Sequence, residues 1–399
     1  MSEIREAVIV AYGRSAIGKA KRGTLKDTRP EAFGGQVLKG VLERVPQLDP
    51  KDIDDVILGC AFQEAEQGNN VARYVMLNAG IPKEVPAQTI NRFCSSGLQA
   101  IAMGANAIMA GQADIILAGG VESMSMIAMG GNLATAEVGL AEANAKAYTQ
   151  MGVTAENIAK KCNISREEQD KFGLMSHNRA EEAQKTGKFV DEIIPVDAVR
   201  VRLDKNGNPE KYIEKFETDE GIRYGLTMDD MAKLRPAFIP KVGTVTAGNA
   251  SQMNDAAAAV VIMSADKAKE LGCKPIAKFV AYTVAGCEPE YMGLGPIYAI
   301  PKVLKIAGLS IDDINVFELN EAFASQALAC VKDLGLENRL EDINPLGGGI
   351  ALGHPLGCTG ALLTCKLLSE LKRRGKKYGC VSMCIGGGMG AAGIFEMCD

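Results

Sequence analysis

Apolar residues along this chain fall into two kinds of run. Short unbroken blocks such as Ala7-Val8-Ile9-Val10-Ala11-Tyr12 and Ile115-Ile116-Leu117-Ala118 have the length and composition of strands buried on both faces. Other stretches place apolar residues at three- and four-residue intervals and predict helices over 31–45 and 98–110. Pro86-Ala87-Gln88-Thr89-Ile90 reads as extended and leads towards the second of these helices. Strand-like and helix-like stretches alternate, which predicts an α/β chain.

The pattern occurs twice. Residues 48–62 form a capped turn running into a strand, and a closely similar register returns at 309–323, with Leu48 and Leu309 separated by the same 261 residues as Phe62 and Phe323. Ser96-Gly97-Leu98 is echoed by Thr359-Gly360-Ala361 at nearly the same separation. After each helix comes an apolar strand ending in glycines, at 115–120 and again at 380–388. One βαβ-type unit, used twice, predicts two similar halves.

Between them, from Glu122 to Ser251, the composition turns charged and polar. Thr154-Ala155-Glu156-Asn157 is expected to open a helix, and Ser165-Arg166-Glu167-Glu168 is a capping box for another running through His177 towards Gln184. This insertion is expected to be mostly helical and surface-exposed, with His177 solvated or structural within its charged run. The predicted organisation is residues 1–121 with 252–270 as one half, 122–251 as the insertion, and 271–399 as the other half.

Composition narrows the field. A chain of 399 residues with 47% apolar content holds enough for about two to three domain-sized units. The formal net charge of −5 and the dispersed Lys and Arg residues argue against nucleic-acid binding. Eleven widely spaced cysteines without a CxxC pair, and only two histidines, argue against a disulfide scaffold and against a metal site. The chain lacks an apolar leader at its start and any span of membrane length, so a reducing cytoplasm is its expected home.

Four motifs carry chemistry. In Asn91-Arg92-Phe93-Cys94-Ser95-Ser96-Gly97 a cysteine stands where a strand gives way to a helix, and the free N–H groups there favour a thiolate nucleophile. A merely packed thiol is the alternative for any single cysteine. Asn320-Glu321-Ala322-Phe323 sets an amide and a carboxylate after a buried strand, where polar groups must be paired or used. In Gly347-Gly348-Gly349-Ile350-Ala351-Leu352-Gly353-His354-Pro355 a lone imidazole is held by a glycine-rich backbone. Cys384-Ile385-Gly386-Gly387-Gly388 puts a second thiol at a strand end before exposed amides, arranged as an oxyanion site would be. Weaker signals, Arg223, Lys233 and Arg235 near Phe238 and the loop 243–251, suit the amide or phosphate of a ligand.

Taken together, the motifs at 91–100, 243–255, 320–323, 353–355 and 384–390 resemble those of the thiolases, and within that family the acetyl-CoA acetyltransferases, over nearly the whole chain. The resemblance implies a five-layered αβαβα fold of two duplicated halves with an inserted loop domain that holds coenzyme A, in a homotetramer (a dimer of dimers) or a dimer. It implies Cys94 as the acylated nucleophile, His354 as its base, Cys384 as the second acid/base and Asn320 as the holder of an oxyanion-hole water. The N–H groups of Cys94 and Gly386 would form the other oxyanion hole. Arg223, Leu234, Phe238, Ala247 and Ser251 match positions lining the coenzyme A tunnel. Met151, Met292, Ala322 and Phe323 are expected there too.

The implied reaction is the reversible Claisen condensation of two acetyl-CoA to acetoacetyl-CoA and CoA, with no metal and no cofactor beyond the thioester substrates. A degradative 3-ketoacyl-CoA thiolase of broader chain length is the alternative. Three positions depart from the family pattern: Gln150 precedes Met151 where relatives carry His, Ala256 replaces a glycine, and Asp230 replaces a serine. Two thiols at one substrate would also permit a reversible Cys94–Cys384 disulfide.

Overall fold

The computed structural model describes residues 4–132 and 135–398. In chain order the first part holds β1 (Ala7–Arg14), β2 (Gly18–Lys19), α1 (Pro30–Glu43), β3 (Asp55–Gly59), α2 (Val71–Asn78), β4 (Ala87–Ile90), α3 (Ser96–Met109) and β5 (Ile115–Ser123). The middle holds α4 (Val138–Ala143), α5 (Met151–Lys161), α6 (Arg166–Lys185), β6 (Val196–Leu203), β7 (Pro209–Phe216) and α7 (Met228–Ala232). The last part holds β8 (Asn254–Ser264), α8 (Ala265–Glu270), β9 (Ala277–Gly286), α9 (Gly295–Ala307), β10 (Val316–Leu319), α10 (Ala324–Asp333), α11 (Leu356–Arg374), β11 (Tyr378–Ile385) and β12 (Met389–Met397).

Ten of the twelve described strands form one sheet whose order is β10-β11-β12-β9-β1-β8-β5-β3-β4, with β2 on β8, and β6 and β7 pair apart from it. It divides at the short β1/β9 pairing, Val8 to Lys278 and Ile9 to Ala277, into two sets with the same plan. In each set a parallel pair, β3 with β5 or β10 with β11, continues through antiparallel partners. Register is kept as well: Leu58 stands opposite Gly119, and its counterpart Leu319 opposite Ser382. Even edge strand β4 has a remnant partner in the parallel bridge from Phe317 to Ile343. The duplication read from the sequence is thus a duplication of hydrogen-bonded topology.

Alternation along the strands separates the layers. On β8, Ala256, Ala258, Val260 and Ile262 face one apolar cluster while Ala257, Ala259, Val261 and Met263 face another. The first cluster is central and contains Leu98 and Ile101 of α3, Leu363 and Leu367 of α11, and Met383 and Phe395 of the second strand set. The second contains Phe33 and Val37 of α1 and Val75 of α2. A third joins Ala299 and Val303 of α9 to Cys330 of α10 and Leu319 of β10. The layers are therefore α1/α2, strands, α3/α11, strands and α9/α10, the five-layered αβαβα order expected.

At the centre the echoed tripeptides meet each other. A β-carbon on Gly97 would lie 2.7 Å from the Ala361 nitrogen, and one on Gly360 would lie 2.3 Å from the Leu98 nitrogen. Reciprocal glycines let α3 and α11 cross almost backbone to backbone. Ala256, where a glycine was expected, is fully buried in this core on β8.

The middle segment differs from expectation in three ways. Helix α5 begins at Met151, and Thr154 lies inside it with its hydroxyl donating back to the Met151 carbonyl at 2.7 Å. An antiparallel hairpin, β6–β7, adds strand to a segment expected to be mostly helical. Helix α6 starts at the Ser165 capping box, yet its Ser176, His177, Ala180 and Ala183 are buried, not solvated. They pack under the glycine-rich loop, where a β-carbon on Gly347 would meet the Ser176 carbonyl at 2.6 Å. Among the described residues, no helix is long and apolar enough to cross a membrane.

Candidate active site

Cys94 lies in a single 3-10 turn, Phe93–Ser95, that runs straight into α3. Phe93 adopts φ +42°, a left-handed conformation that is rare outside glycine. Neighbouring side chains hold this turn: Asn91 Oδ1 accepts the Phe93 N–H at 2.8 Å, and Ser96 Oγ accepts the Arg92 N–H at 2.8 Å and donates to the Phe93 carbonyl at 2.7 Å. The Cys94 side chain is 3% exposed. Burial pushes its thiol up to about 12, although the N–H groups of Gly386 and of Cys94 itself point at the sulfur and pull the other way. The thiolate expected from the helix N-terminus is therefore corrected. Dehydration outweighs the dipole, and the resting group is a thiol.

His354 precedes α11 and is buried. Its backbone N–H donates to Asn254 Oδ1 at 3.1 Å, and Gly353 just before it takes φ +126°, where a β-carbon would strike the Asn254 side chain at 2.3 Å. Its Nδ1 lies 2.7 Å from Thr359 Oγ1 and its Nε2 lies 3.4 Å from Asn320 Nδ2. With the Asn320 amide donating to Nε2, Nδ1 carries the proton and donates to Thr359. Burial pulls the imidazole down to about 4, so it rests neutral.

Asn320 follows β10 and donates its backbone N–H to the Ser382 carbonyl of β11 at 2.9 Å. Two residues further along β11, Cys384 is fully buried, its thiol held well above the usual range by burial and then by the neighbouring Cys94, Cys330 and Cys287. Cys94 packs with Leu356, two residues beyond His354, the Gly386 N–H of the β11 end points at its sulfur, and Asn320 bonds both to β11 and towards His354. Cys94 and Cys384 are not joined in a disulfide.

Two apolar clusters meet there. Cys384 packs with Met292, Ala322 and Phe323, with half-buried Met151 alongside. Cys94 packs with Ala61, Met124 and Leu356, with half-buried Phe62 and Ala20 alongside. The first cluster reaches the surface at Phe238, 40% exposed, whose ring meets Phe323 edge-on at 6.0 Å and lies over Gly152. Ser251 donates its N–H to the Ala322 carbonyl at 2.9 Å. Ala247 is exposed in the turn where Asn249 Oδ1 accepts the Thr246 N–H at 2.7 Å. Leu234 sits over Gly248, and half-buried Arg223 donates its N–H to His177 Nδ1 at 3.2 Å.

His177 is thus not a solvated group. Burial, with Arg223 and Lys19 nearby, pulls it down to about 4 and leaves a neutral acceptor beneath Arg223. Asp230, the departure from serine, is the N3 member of a capping box with Thr227 at the start of α7.

Sequence reasoning missed three residues that hold the site. Thr359 and Asn254 orient His354; one lies in the echoed tripeptide and the other in the 243–255 motif, but neither pattern pointed to His354 as the partner. Glu122 is the third, a buried carboxylate at the end of β5. Its Oε2 accepts the N–H of Ala61 and of Gly357, each at 2.7 Å, and its Oε1 accepts Gln67 Nε2 at 2.8 Å. One side chain therefore ties the loop after β3 to the first turn of α11. The available signal was a carboxylate directly after an unbroken apolar strand.

The geometry agrees with what the chain resembles. The family model for the thiolase N-terminal domain matches residues 7–266, and that for the thiolase C-terminal domain matches residues 273–397. The chain is 50% identical over 395 residues to a 3-ketoacyl-CoA thiolase of Bacillus subtilis (strain 168), covering 99% of this chain and 100% of the relative. It is 46% identical over 393 residues to a 3-ketoacyl-CoA thiolase of Marinobacter nauticus, covering 98% of each. Among solved structures it superposes with a TM-score of 0.88 on the Bacillus anthracis acetyl-CoA acetyltransferase, at 40% identity over 100% of both chains. The dimeric peroxisomal thiolase of Saccharomyces cerevisiae gives a TM-score of 0.87 at 40% identity, over 100% of this chain and 98% of that one. Matched by both family models and by relatives along its whole length, the chain belongs to the thiolase family of acyltransferases.

Proposed function

We propose that this chain is a degradative 3-ketoacyl-CoA thiolase, which converts a 3-ketoacyl-CoA and CoA into acetyl-CoA and an acyl-CoA two carbons shorter. The acetyl-CoA condensation expected first from the sequence then becomes the reverse reaction at the shortest chain length. Relatives called 3-ketoacyl-CoA thiolase at 50% and 46% identity support this order, against 40% for the acetyl-CoA acetyltransferase.

The observation that carries the chemistry is a buried thiol, Cys94, with the Gly386 N–H on its sulfur, packed against Leu356 just beyond the buried imidazole of His354. An ion pair at rest would be disfavoured there, so proton transfer from Cys94 to the unprotonated Nε2 of His354, which the Asn320 amide gives up, coincides with attack on the C3 carbonyl. The Cys94 and Gly386 N–H groups, already aimed at the sulfur's position, receive the developing oxyanion. The C2–C3 bond breaks, the two-carbon fragment leaves as the enolate of acetyl-CoA, and Cys384 gives it a proton. Asn320, its Oδ1 buried without a hydrogen-bond partner, faces that enolate beside His354, through a water it holds. The thiol of a second CoA gives its proton to the Cys384 thiolate and attacks the Cys94 thioester, Cys94 leaves with the proton held by His354, and the shortened acyl-CoA is released with all three groups reset.

Phe238, Arg223, Leu234, Ala247, Ser251, Met151, Met292, Ala322 and Phe323 line the path of the pantetheine arm in this reading, within a homo-oligomer in the cytoplasm. The yeast relative's being dimeric supports a dimer as its basic unit. The test is a kinetic panel of C4 to C10 3-ketoacyl-CoA substrates against CoA. kcat/KM at C8 should exceed that at C4 by about tenfold, and activity confined to acetoacetyl-CoA would return the acetyl-specific reading.

A further inference from the structure

His354 stands just before the first turn of α11, and further along the same helix Lys366 lies fully buried. Its ammonium donates to Glu318 Oε2 of β10 at 2.9 Å and to the Gly347 carbonyl at 2.6 Å. Gly347 opens the glycine-rich loop that ends at His354, and Glu318 stands two residues before Asn320. One side chain therefore fastens the loop that delivers the imidazole to the strand that delivers the amide. The fit along this seam is close: Glu321 accepts the Ile350 N–H at 3.3 Å, and a β-carbon on Gly349 would lie 3.2 Å from Asn320 Oδ1.

As a source of stability the pair is poor. Two charges must be stripped of water, and Glu318 Oε1 is buried without a hydrogen-bond partner. The first half of the chain shows that the fold does not require it. At the 261-residue offset that matches Leu58 with Leu319, Glu318 corresponds to Ile57. At the 263-residue offset that matches Gly97 with Gly360, Lys366 corresponds to Met103. Ile57 is buried in the central apolar cluster and Met103 packs against it. Two apolar positions have become two charges in the half that supplies Asn320 and His354.

We infer that Lys366 is a positioning residue: tied to Glu318, it holds the loop 347–353 against β10 and so sets His354 against Asn320. Its ammonium does not touch the substrate in this reading. It acts through the Gly347 carbonyl, and the loop beyond carries the effect to the imidazole. A displacement of about 1 Å at that ring is enough to lower turnover by up to about 100-fold.

The inference rests on the proposed function for its effect on turnover, and a second readout that needs no catalysis keeps the two apart. The double variant Glu318→Ile/Lys366→Met copies the first half's own pair and leaves no buried charge without a partner. Folded by circular dichroism, it should exchange the amide hydrogens of 347–353 at least about tenfold faster than wild type by mass spectrometry. In thiolysis of 3-ketoacyl-CoA its kcat should fall about 10- to 100-fold, with KM within about twofold of wild type. If it does not fold, Glu318→Gln, which keeps the shape of the side chain and removes its charge, decides by the same measurements. Loop exchange and kcat both within about twofold of wild type in a folded variant overturn the inference. Faster loop exchange in the variant, beside a wild-type enzyme that thiolyses no chain length, overturns the proposed function and bears out the fastening.

Discussion

Ala61-Phe62 and Ala322-Phe323 occupy equivalent places after β3 and β10, yet the groups around them differ in kind. In the first half the residue before the pair is Cys60 and the neighbouring strand ends in Glu122, whose carboxylate gathers backbone N–H groups. In the second half Asn320 and Glu321 come before the pair, and the neighbouring strand ends in Cys384 and then Gly386. One strand end supplies a hydrogen-bonded frame, and its duplicate supplies the groups proposed above to move protons. Glu321 still frames its surroundings, accepting from Ser176 Oγ at 2.6 Å and Asn344 Nδ2 at 2.9 Å, but it faces α6 and not the thiols. Duplication thus placed two similar strand ends at one centre and left each free to specialise.

The division can be broken most severely at the thiols. Cys94→Ala should abolish both acylation and turnover. Cys384→Ala should leave Cys94 able to gain an acetyl group from acetyl-CoA in mass spectra, while carbon–carbon cleavage falls by at least about 1,000-fold. Loss of both signals in Cys384→Ala would mean that the second half does more than handle the enolate.

Glu122→Gln tests the frame. An amide NH2 would face the N–H donors that the carboxylate now accepts, so kcat should fall about 10- to 100-fold, with KM for the thioester little changed and the protein still folded by circular dichroism. An unaltered kcat would mean that the backbone on either side holds without it.

The smallest effect concerns His177, beneath Arg223. It stays neutral in the native state down to about pH 4, whereas in the unfolded chain it takes a proton near its ordinary 6.5. Between those values the unfolded state binds more protons, so stability falls as pH falls, and His354 adds a slope of the same sign. His177→Asn should recover about 1–2 kcal/mol of that loss at pH 4.5 relative to pH 7, read from denaturant melts at the two pH values.

Strands and the central helices were legible because burial on both faces leaves unbroken apolar runs, and the repeat was legible because the two halves share register. Gly97 and Gly360 showed in the sequence as an echo, and the structure supplies the reason in a helix crossing. The reactive residues stood out because each interrupts an apolar or glycine-rich run with a polar group. What stayed hidden depends on pairings between distant segments: Glu122 on Gly357, Thr359 on His354, and the burial of His177 under Arg223. Such partners leave no periodicity along the chain. The protonation of Cys94 was misjudged for a related reason, since a helix start is a local feature while dehydration depends on everything packed around it. The start of α5 was misplaced because Thr154, a residue that often caps, instead bonds back to Met151 within the helix.

The crossing of α3 and α11 also sets when the enzyme becomes reactive. Cys94 and His354 stand at the starts of the two helices that touch at Gly97 and Gly360, so the thiol meets its proposed base only after both helices have docked. Ribosomes deliver the cysteine first and the histidine 260 residues later. A nascent chain carries that sulfur before the imidazole proposed to deprotonate it exists, so on this reading the molecule stays chemically silent until residue 354 has been made.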